Sequence, residues 1–243
     1  MCRCPPRAGA ESSALRWLFL LALAPLVSAC STTARLEPYK QTNVVIHDGE
    51  QVVILARRNH PNYEAEPGFI SCLSDELAKG DHPIAVHPTQ KFEDQMYPWF
   101  EPSTAPLSTD DLSKLLQKPD VRDQVQKTGV RFVVWLDGST DRVASGGGIT
   151  CAAGIGGAGC MGLAWWEDDS RYDATVWDLK GVSSAGTIHA DVKGRSVMPA
   201  LIIPIPLIAR PQAKACHGLT DQLKEFLTTP RGYGAGPDTS DKS

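Results

Sequence analysis

The 243-residue chain has no basic run, and its net charge is −4. Binding to nucleic acid rests on neutralising phosphates with Lys and Arg, so nucleic acid is not an expected partner. The six histidines, His47, His60, His82, His87, His189 and His217, form no H-E-x-x-H. No two cysteines stand in C-x-x-C spacing, so a zinc site lacks its usual frame. The acidic cluster Glu167, Asp168, Asp169 and Asp173 lacks EF-hand spacing and reads as a solvated turn. No G-x-S-x-G presents a nucleophilic serine, and Gly138-Ser139 sits in the turn DGSTD. These absences leave no expected metal, cofactor or catalytic centre, and the chain reads as a non-enzyme.

What is present begins with GGGITCAAGIGGAGCMGLAWWEDDS at 146–170. Gly154, Gly156 and Gly159 satisfy G-x-G-x-x-G. That pattern cradles dinucleotide phosphates only where a helix opens on its third glycine. Here Gly162 and the pair Trp165-Trp166 follow, which favours a strand, and no Lys-Ser or Lys-Thr completes a Walker loop. The expected structure is a glycine-rich hairpin, closed near its end by Cys151 and Cys160. On a strand the two tryptophans face opposite sides. One is expected in the core and the other on a partner or membrane surface.

The N-terminus carries Arg3, Arg7 and Arg16 before the apolar run WLFLLALAPLV at 17–27. The run has the length of a secretory leader and is too short for a membrane-crossing helix of about 20 residues. It ends in Val27-Ser28-Ala29-Cys30, which resembles a bacterial lipobox. The resemblance implies cleavage before Cys30 and acylation of that residue, with several chains adding about 0.8 kcal/mol per buried CH₂. Ser31 stands where enterobacterial lipoproteins held at the inner membrane carry Asp, so the resemblance points to the outer membrane, facing the periplasm. Removing a leader with three Arg and one Glu leaves 214 residues and moves the net charge from −4 to −6.

Cys2 and Cys4 leave with that leader, and four cysteines remain beside the lipidated one. Four cysteines in an oxidising compartment read as two disulfides with three connectivities. The short spacing favours Cys151–Cys160, which leaves Cys72–Cys216 to join an early helix to the last one.

The division expected along the chain is a signal peptide at 1–29, a lipidated polar tether at 30–42, a domain at 43–229 and a disordered tail at 230–243. Within the domain, NVVIHDGEQVVILARRN carries two β-branched runs around Asp48-Gly49 and reads as a hairpin or as one strand entering another. EPGFISCLSDELAKG has Phe69, Cys72, Leu73 and Leu77 at helical spacing, with Gly80 as its stop. HPIAVHP reads as a short strand, and KFEDQMYPWFEP as a helical turn. In STDDLSKLLQKPDVRDQVQKTG, Ser108 is an N-cap, Pro119 restarts the helix and Gly129 ends it. VRFVVWLDG is apolar on both faces, as a central strand is. SRYDATVWDLKG and AGTIHADVKGRSV are further strands. The proline-broken PALIIPIPLIARP reads as a buried edge or crossover, or else as a docking segment. PQAKACHGLTDQLKEFL is a last helix presenting Ala215, Leu219, Leu223 and Phe226 or Leu227.

The order implies one α/β (α+β) domain, with a mixed, mostly antiparallel sheet flanked by about three helices. QVVILA as an early strand, GVRFVVWLDG after the second helix, and ATVWDLKG give 44–227 a layout similar to one family of envelope domains. That family is the periplasmic domain shared by the curli secretion channel lipoprotein, the N-terminal domain of TolB and the lipoprotein activators of penicillin-binding proteins. The resemblance implies a lipid-anchored envelope protein that binds an envelope protein or peptidoglycan, or assembles with one. Two other readings stand beside it. An envelope hydrolase would place His189 or His217 beside a serine and a carboxylate. A secretion component would be oligomeric.

Overall fold

The computed structural model describes residues 32–230, apart from 57–65, 81, 102–103 and 156. The leader, Cys30, Gly156 and 231–243 lie outside the described residues. The strands are β1 (Thr32–Lys40), β2 (Gln51–Ala56), β3 (Val130–Gly154), β4 (Gly157–Asp178) and β5 (Ser183–Pro204). The helices are α1 (Pro67–Leu77), α2 (Thr89–Gln95), α3 (Thr109–Leu116), α4 (Pro119–Thr128) and α5 (Pro211–Thr228). The strands form one sheet in the order β1-β5-β4-β3-β2. β2 and β3 are parallel, with Val52 opposite Phe132 and Ile54 opposite Val134. The connections from β3 to β4 and from β4 to β5 are only a few residues long, so those pairs are antiparallel. The mixed α/β class is as expected, but five described helices replace the expected three.

The described chain divides into two compact units. Among the described residues, a body comprises those of Thr33–Arg142, Asp168–Lys193 and 210–230. An extension comprises Val143–Glu167 and Gly194–Ala209, together with Thr32.

The body is explained by strands that are apolar on both faces. Val52 and Ile54 of β2, Phe132, Val134 and Leu136 of β3, and Tyr172, Ala174 and Val176 of β4 enter one buried cluster. There they meet Phe69, Leu73 and Leu77 of α1 and Leu219, Leu223 and Phe226 of α5. The alternate residues Val53, Leu55, Val133, Trp135 and Trp177 enter a second cluster with Phe92 of α2, Leu112 of α3 and Val121 of α4. Period-two alternation thus feeds two cores, and helices cover both faces of the sheet in the body. Local signals set the helix ends. The Ser108 side chain accepts from Asp111 N at 3.1 Å, and Gly129 closes α4 with a φ of 73°. Cys72 on α1 and Cys216 on α5 are joined, with Cα atoms 6.4 Å apart.

Several expectations are corrected here. Residues 30–42 are not a tether throughout, because Thr32–Lys40 is a strand at the sheet edge. Its inward position Leu36 packs on the core beside Gly218 of α5, where an added Cβ would meet Leu36 Cδ1 at 2.8 Å. A single strong apolar residue and Pro38 hid this strand in the sequence. Around Asp48-Gly49 there is a turn but no hairpin, and Val44 and Ile46 pack on the core without strand pairing. HPIAVHP contributes one parallel bridge, Val86 to Val52. The strand expected at VRFVVWLDG does not stop there but continues to Gly154, 25 residues in all.

Candidate functional site

The extension is built from the later part of β3, the first part of β4 and the end of β5. Its sequence has no Asp, Glu, Lys, Arg or His between Arg142 and Glu167, and none between Arg195 and Arg210. Glycine permits the two hairpin strands to lie against each other. Gly147 has a φ of 82°, and a Cβ there would lie 2.0 Å from Leu163 O. Gly162 has a φ of 144°, and its Cβ would lie 2.2 Å from Gly148 O. The glycine-rich motif therefore serves strand pairing, and no helix opens on its third glycine. Cys151 and Cys160 join the strands near their end, with Cα atoms 4.0 Å apart. In the chain-entropy picture a loop this short contributes about 2–3 kcal/mol.

This geometry yields a direct prediction. Gly162→Ala should open the extension, since neither the φ nor the contact with Gly148 accepts a Cβ. Amide hydrogen exchange across 143–167 should accelerate, while the unfolding free energy of the body from urea titration stays within about 0.5 kcal/mol of the parent. Unchanged exchange would mean that the strands do not approach as closely as described.

β5 has an unusual end. Ile202 takes a φ of 95°, rare for a β-branched residue, and Leu201, Ile202 and Ile203 are all exposed. After Pro204 the chain returns along β5. Leu207 N donates to Val197 O at 2.8 Å, Val197 N donates to Leu207 O at 2.9 Å, and Ala209 N donates to Ser196 Oγ at 3.0 Å. The expected buried edge or crossover at 199–208 is thus corrected. Pro199, Pro204 and Pro206 offer no N–H donor, so the segment turns back as a ribbon and its isoleucines stay in solvent.

Trp165 and Trp166 are both half-buried, which corrects the expectation of one core and one exposed ring. Trp165 lies close over Gly146, where a Cβ would approach its indole to 3.0 Å. The Arg195 guanidinium sits 5.5 Å from the Trp165 ring centre, and its Nε donates to Glu167 Oε1 at 2.7 Å. These three side chains form a charged and aromatic collar at the limits of the uncharged runs 143–166 and 196–209. Of the twelve large hydrophobic side chains exposed among the described residues, nine lie on the extension, including Ile155, Met161 and Leu201. Met161, Leu201 and Ile202 also line a shallow hollow of about 520 Å³. Concentration of this kind marks a contact surface.

The other charged clusters lie in the body and are paired within it. Arg131 donates from Nη1 to Glu50 Oε2 at 2.6 Å and to Val45 O at 2.9 Å, and from Nη2 to Asp178 Oδ2 at 3.3 Å. Burial alone would raise the Glu50 carboxyl, but Arg131 and the His47 N–H outweigh it and hold the group below its ordinary value. A hollow of about 650 Å³ beside this triad is lined by Arg131, Leu116, Val125 and Leu179, among others. Its arginine is already matched by two carboxylates. A second network ties α1, β3, β4 and α5 together. Tyr172 donates to Glu66, Gln212 Nε2 donates to Glu66 Oε2 at 2.7 Å, and Thr140 Oγ1 lies 2.8 Å from Ser170 Oγ. Phe69 stacks on Tyr172 with ring centres 3.6 Å apart. Burial, and then the Glu66 carboxylate, push the Tyr172 phenol above its ordinary value.

The residues named for a hydrolase do not converge. His189 Nδ1 meets Asp173, and the hollow they line holds Arg35, Glu37, Arg171 and Asp191 but no serine, threonine or cysteine. His217 Nδ1 lies 3.7 Å from Glu76 Oε2. His87 is buried, with Nδ1 2.8 Å from Gln51 Oε1, and desolvation lowers its pKa. The acidic cluster disperses as well. Asp168 accepts from Arg142 at 3.1 Å, Asp169 pairs with Arg171, and Asp173 pairs with His189. Among the described residues no group of three His, Cys, Asp or Glu side chains is arranged to hold a metal ion. No described helix is long and apolar enough to cross a membrane.

The fold and this surface define a mixed-sheet α/β protein with a strand extension whose runs 143–166 and 196–209 carry no charged side chain. No protein-family model matches the chain, and no curated protein matches it. Among solved structures it is similar to two crystal forms of the PelC dodecamer from Paraburkholderia phytofirmans, one of them a point variant. The variant is 11% identical over 82% of this chain and 100% of its own, with a TM-score of 0.35. The other is 10% identical over 81% of this chain and 99% of its own, with a TM-score of 0.35. Likeness of that degree lies below the level at which two folds count as the same.

Proposed function

We propose that the protein is anchored in the bacterial cell envelope through an acylated Cys30 and acts by binding or assembly, not by catalysis. The observation that carries this reading is the placement of exposed apolar side chains. They gather on the extension, whose runs 143–166 and 196–209 carry no charged side chain, while Glu50, Glu66 and Asp178 of the body are engaged in contacts that hold elements together. Two disulfides fit an oxidising compartment, and the lipobox resemblance supplies the anchor. The outer membrane, periplasm-facing, is the location that Ser31 favours.

The anchor and the mode of action are tested separately. Mass spectrometry of the N-terminal peptide from a membrane fraction should find Cys30 at the new terminus, carrying acyl chains. Cys30→Ser should leave an uncut leader and no acyl mass. Photo-crosslinkers placed on the extension in intact cells should recover envelope components reproducibly. Repeated recovery of nothing specific, with the protein folded and exported, would remove the binding or assembly role.

A further inference from the structure

We infer that the surface on the extension docks on a lipid bilayer, as a second membrane contact alongside the lipid on Cys30. This rests on the envelope reading above and names what that surface touches.

The first argument is chain length. Cys30 lies two residues before Thr32, and two extended residues reach at most about 7 Å. Thr32 belongs to the same compact unit as 143–167 and 194–209. β1 leads there from the body. Gln41 N donates to Ala185 O at 2.8 Å, so the C-terminal end of β1 lies at the start of β5 and the two strands run antiparallel. Acyl chains on Cys30 therefore bring a bilayer to the unit that carries the exposed isoleucines.

The second argument is the distribution of apolar groups. Leu201 and Ile202 are neighbours on a strand, and they are 79% and 72% exposed. Ile155, at the hairpin end, and Met161 on β4 are exposed too. A fluid apolar phase can meet this surface without a partner of matched shape. The collar fits the same medium, since indoles favour the membrane interface and an arginine over Trp165 can extend its head to phosphate.

The third argument concerns the edges. One side of the ribbon is closed by the return of 205–209, where Pro204 and Pro206 supply no N–H. Head-to-tail pairing of copies through that side would lack donors. On the other side β3 pairs with β2 only as far as Leu136, and its outer edge beyond has no strand neighbour among the described residues. Unpaired backbone cannot sit in hydrocarbon, so the extension lies at the boundary of headgroups and acyl chains and does not span.

The test uses the full mature chain with Cys30→Ser, so that lipidation plays no part. It is mixed with phosphatidylethanolamine–phosphatidylglycerol vesicles. The parent should float with the vesicles, and lipids brominated on their acyl chains should quench its tryptophan emission. Trp135 and Trp177 are buried and the half-buried Trp99 belongs to the body, so the quenching should disappear in the variant carrying both Trp165→Phe and Trp166→Phe. Met161→Asp and Ile202→Asp, at exposed positions, should each lower vesicle partition about tenfold with the disulfides intact. A parent that stays in solution unquenched would overturn the inference. So would a parent that self-associates without binding vesicles and becomes monomeric with Ile202→Asp, since a second copy would then be the occupant. Neither result touches the anchored binding or assembly reading, which the Cys30 peptide mass and the crosslinks in cells decide.

Discussion

Replacing Cys72 and Cys216 by alanine should cost the folded chain about 4–5 kcal/mol, the loop-closure value for a bridge of this span. The two residues are 144 apart in sequence, and Cys216 is fully buried. The bridge constrains the unfolded chain more than it holds the native one. Natively, α1 and α5 already share Phe69, Leu73, Leu77, Leu219 and Leu223. Urea unfolding of the double variant, with Cys151–Cys160 intact, should show a lower midpoint and a steeper dependence on denaturant, because the unfolded chain expands. A loss below about 1 kcal/mol would mean that the helix contacts already order the denatured chain. The Cys151–Cys160 bridge should behave differently. It closes nine residues on the extension, so its loss should register there in hydrogen exchange before it registers in the body.

The second large effect is expected at Arg131. Arg131→Met should destabilise the body by about 3–5 kcal/mol at neutral pH, because Glu50 and Asp178 would keep their charges without a cation. The three side chains are 13%, 20% and 4% exposed, so water screens them poorly. The effect also has a pH signature. Glu50 is held below its ordinary pKa of about 4.3 in the folded state. The unfolded chain therefore takes up the proton first as pH falls. The stabilisation is fully present above that ordinary value and is lost as pH drops through the lower folded value. The gap between parent and Arg131→Met should narrow over that range as Glu50 protonates. A penalty that stays constant from pH 7 to about pH 3 would point to the packing of the Arg131 stem and not to its pairing with Glu50.

Much of the body could be read in the chain. Strands apolar on both faces, such as QVVILA and VRFVVWL, left no choice but a sheet covered on two sides. Ser108, Pro119 and Gly129 marked helix limits by local chemistry. The edge strand at Thr32–Lys40 was hidden because its pairing is supplied by β5, and only Leu36 signals an inward face. α2 could be read only as a helical turn at KFEDQMYPWFEP, because it is short.

The extension is the instructive case. Its charge-free runs, its glycines and its cysteines are all visible in the sequence. Glycine spacing alone is compatible with a phosphate loop or a hairpin, and the neighbours Gly162, Trp165 and Trp166 favoured the hairpin. Sequence by itself determined where charge is absent, which residues can take positive φ and which cysteines lie near each other. Only the tertiary structure decided that 143–167 and 194–209 lie together and keep their isoleucines in solvent. The reason is physical. An apolar run such as PALIIPIPLIA has the same hydrophobic free energy to gain in a core as on a surface awaiting a partner. Which of the two occurs depends on whether another element stands opposite, and that is a property of the fold, not of the run.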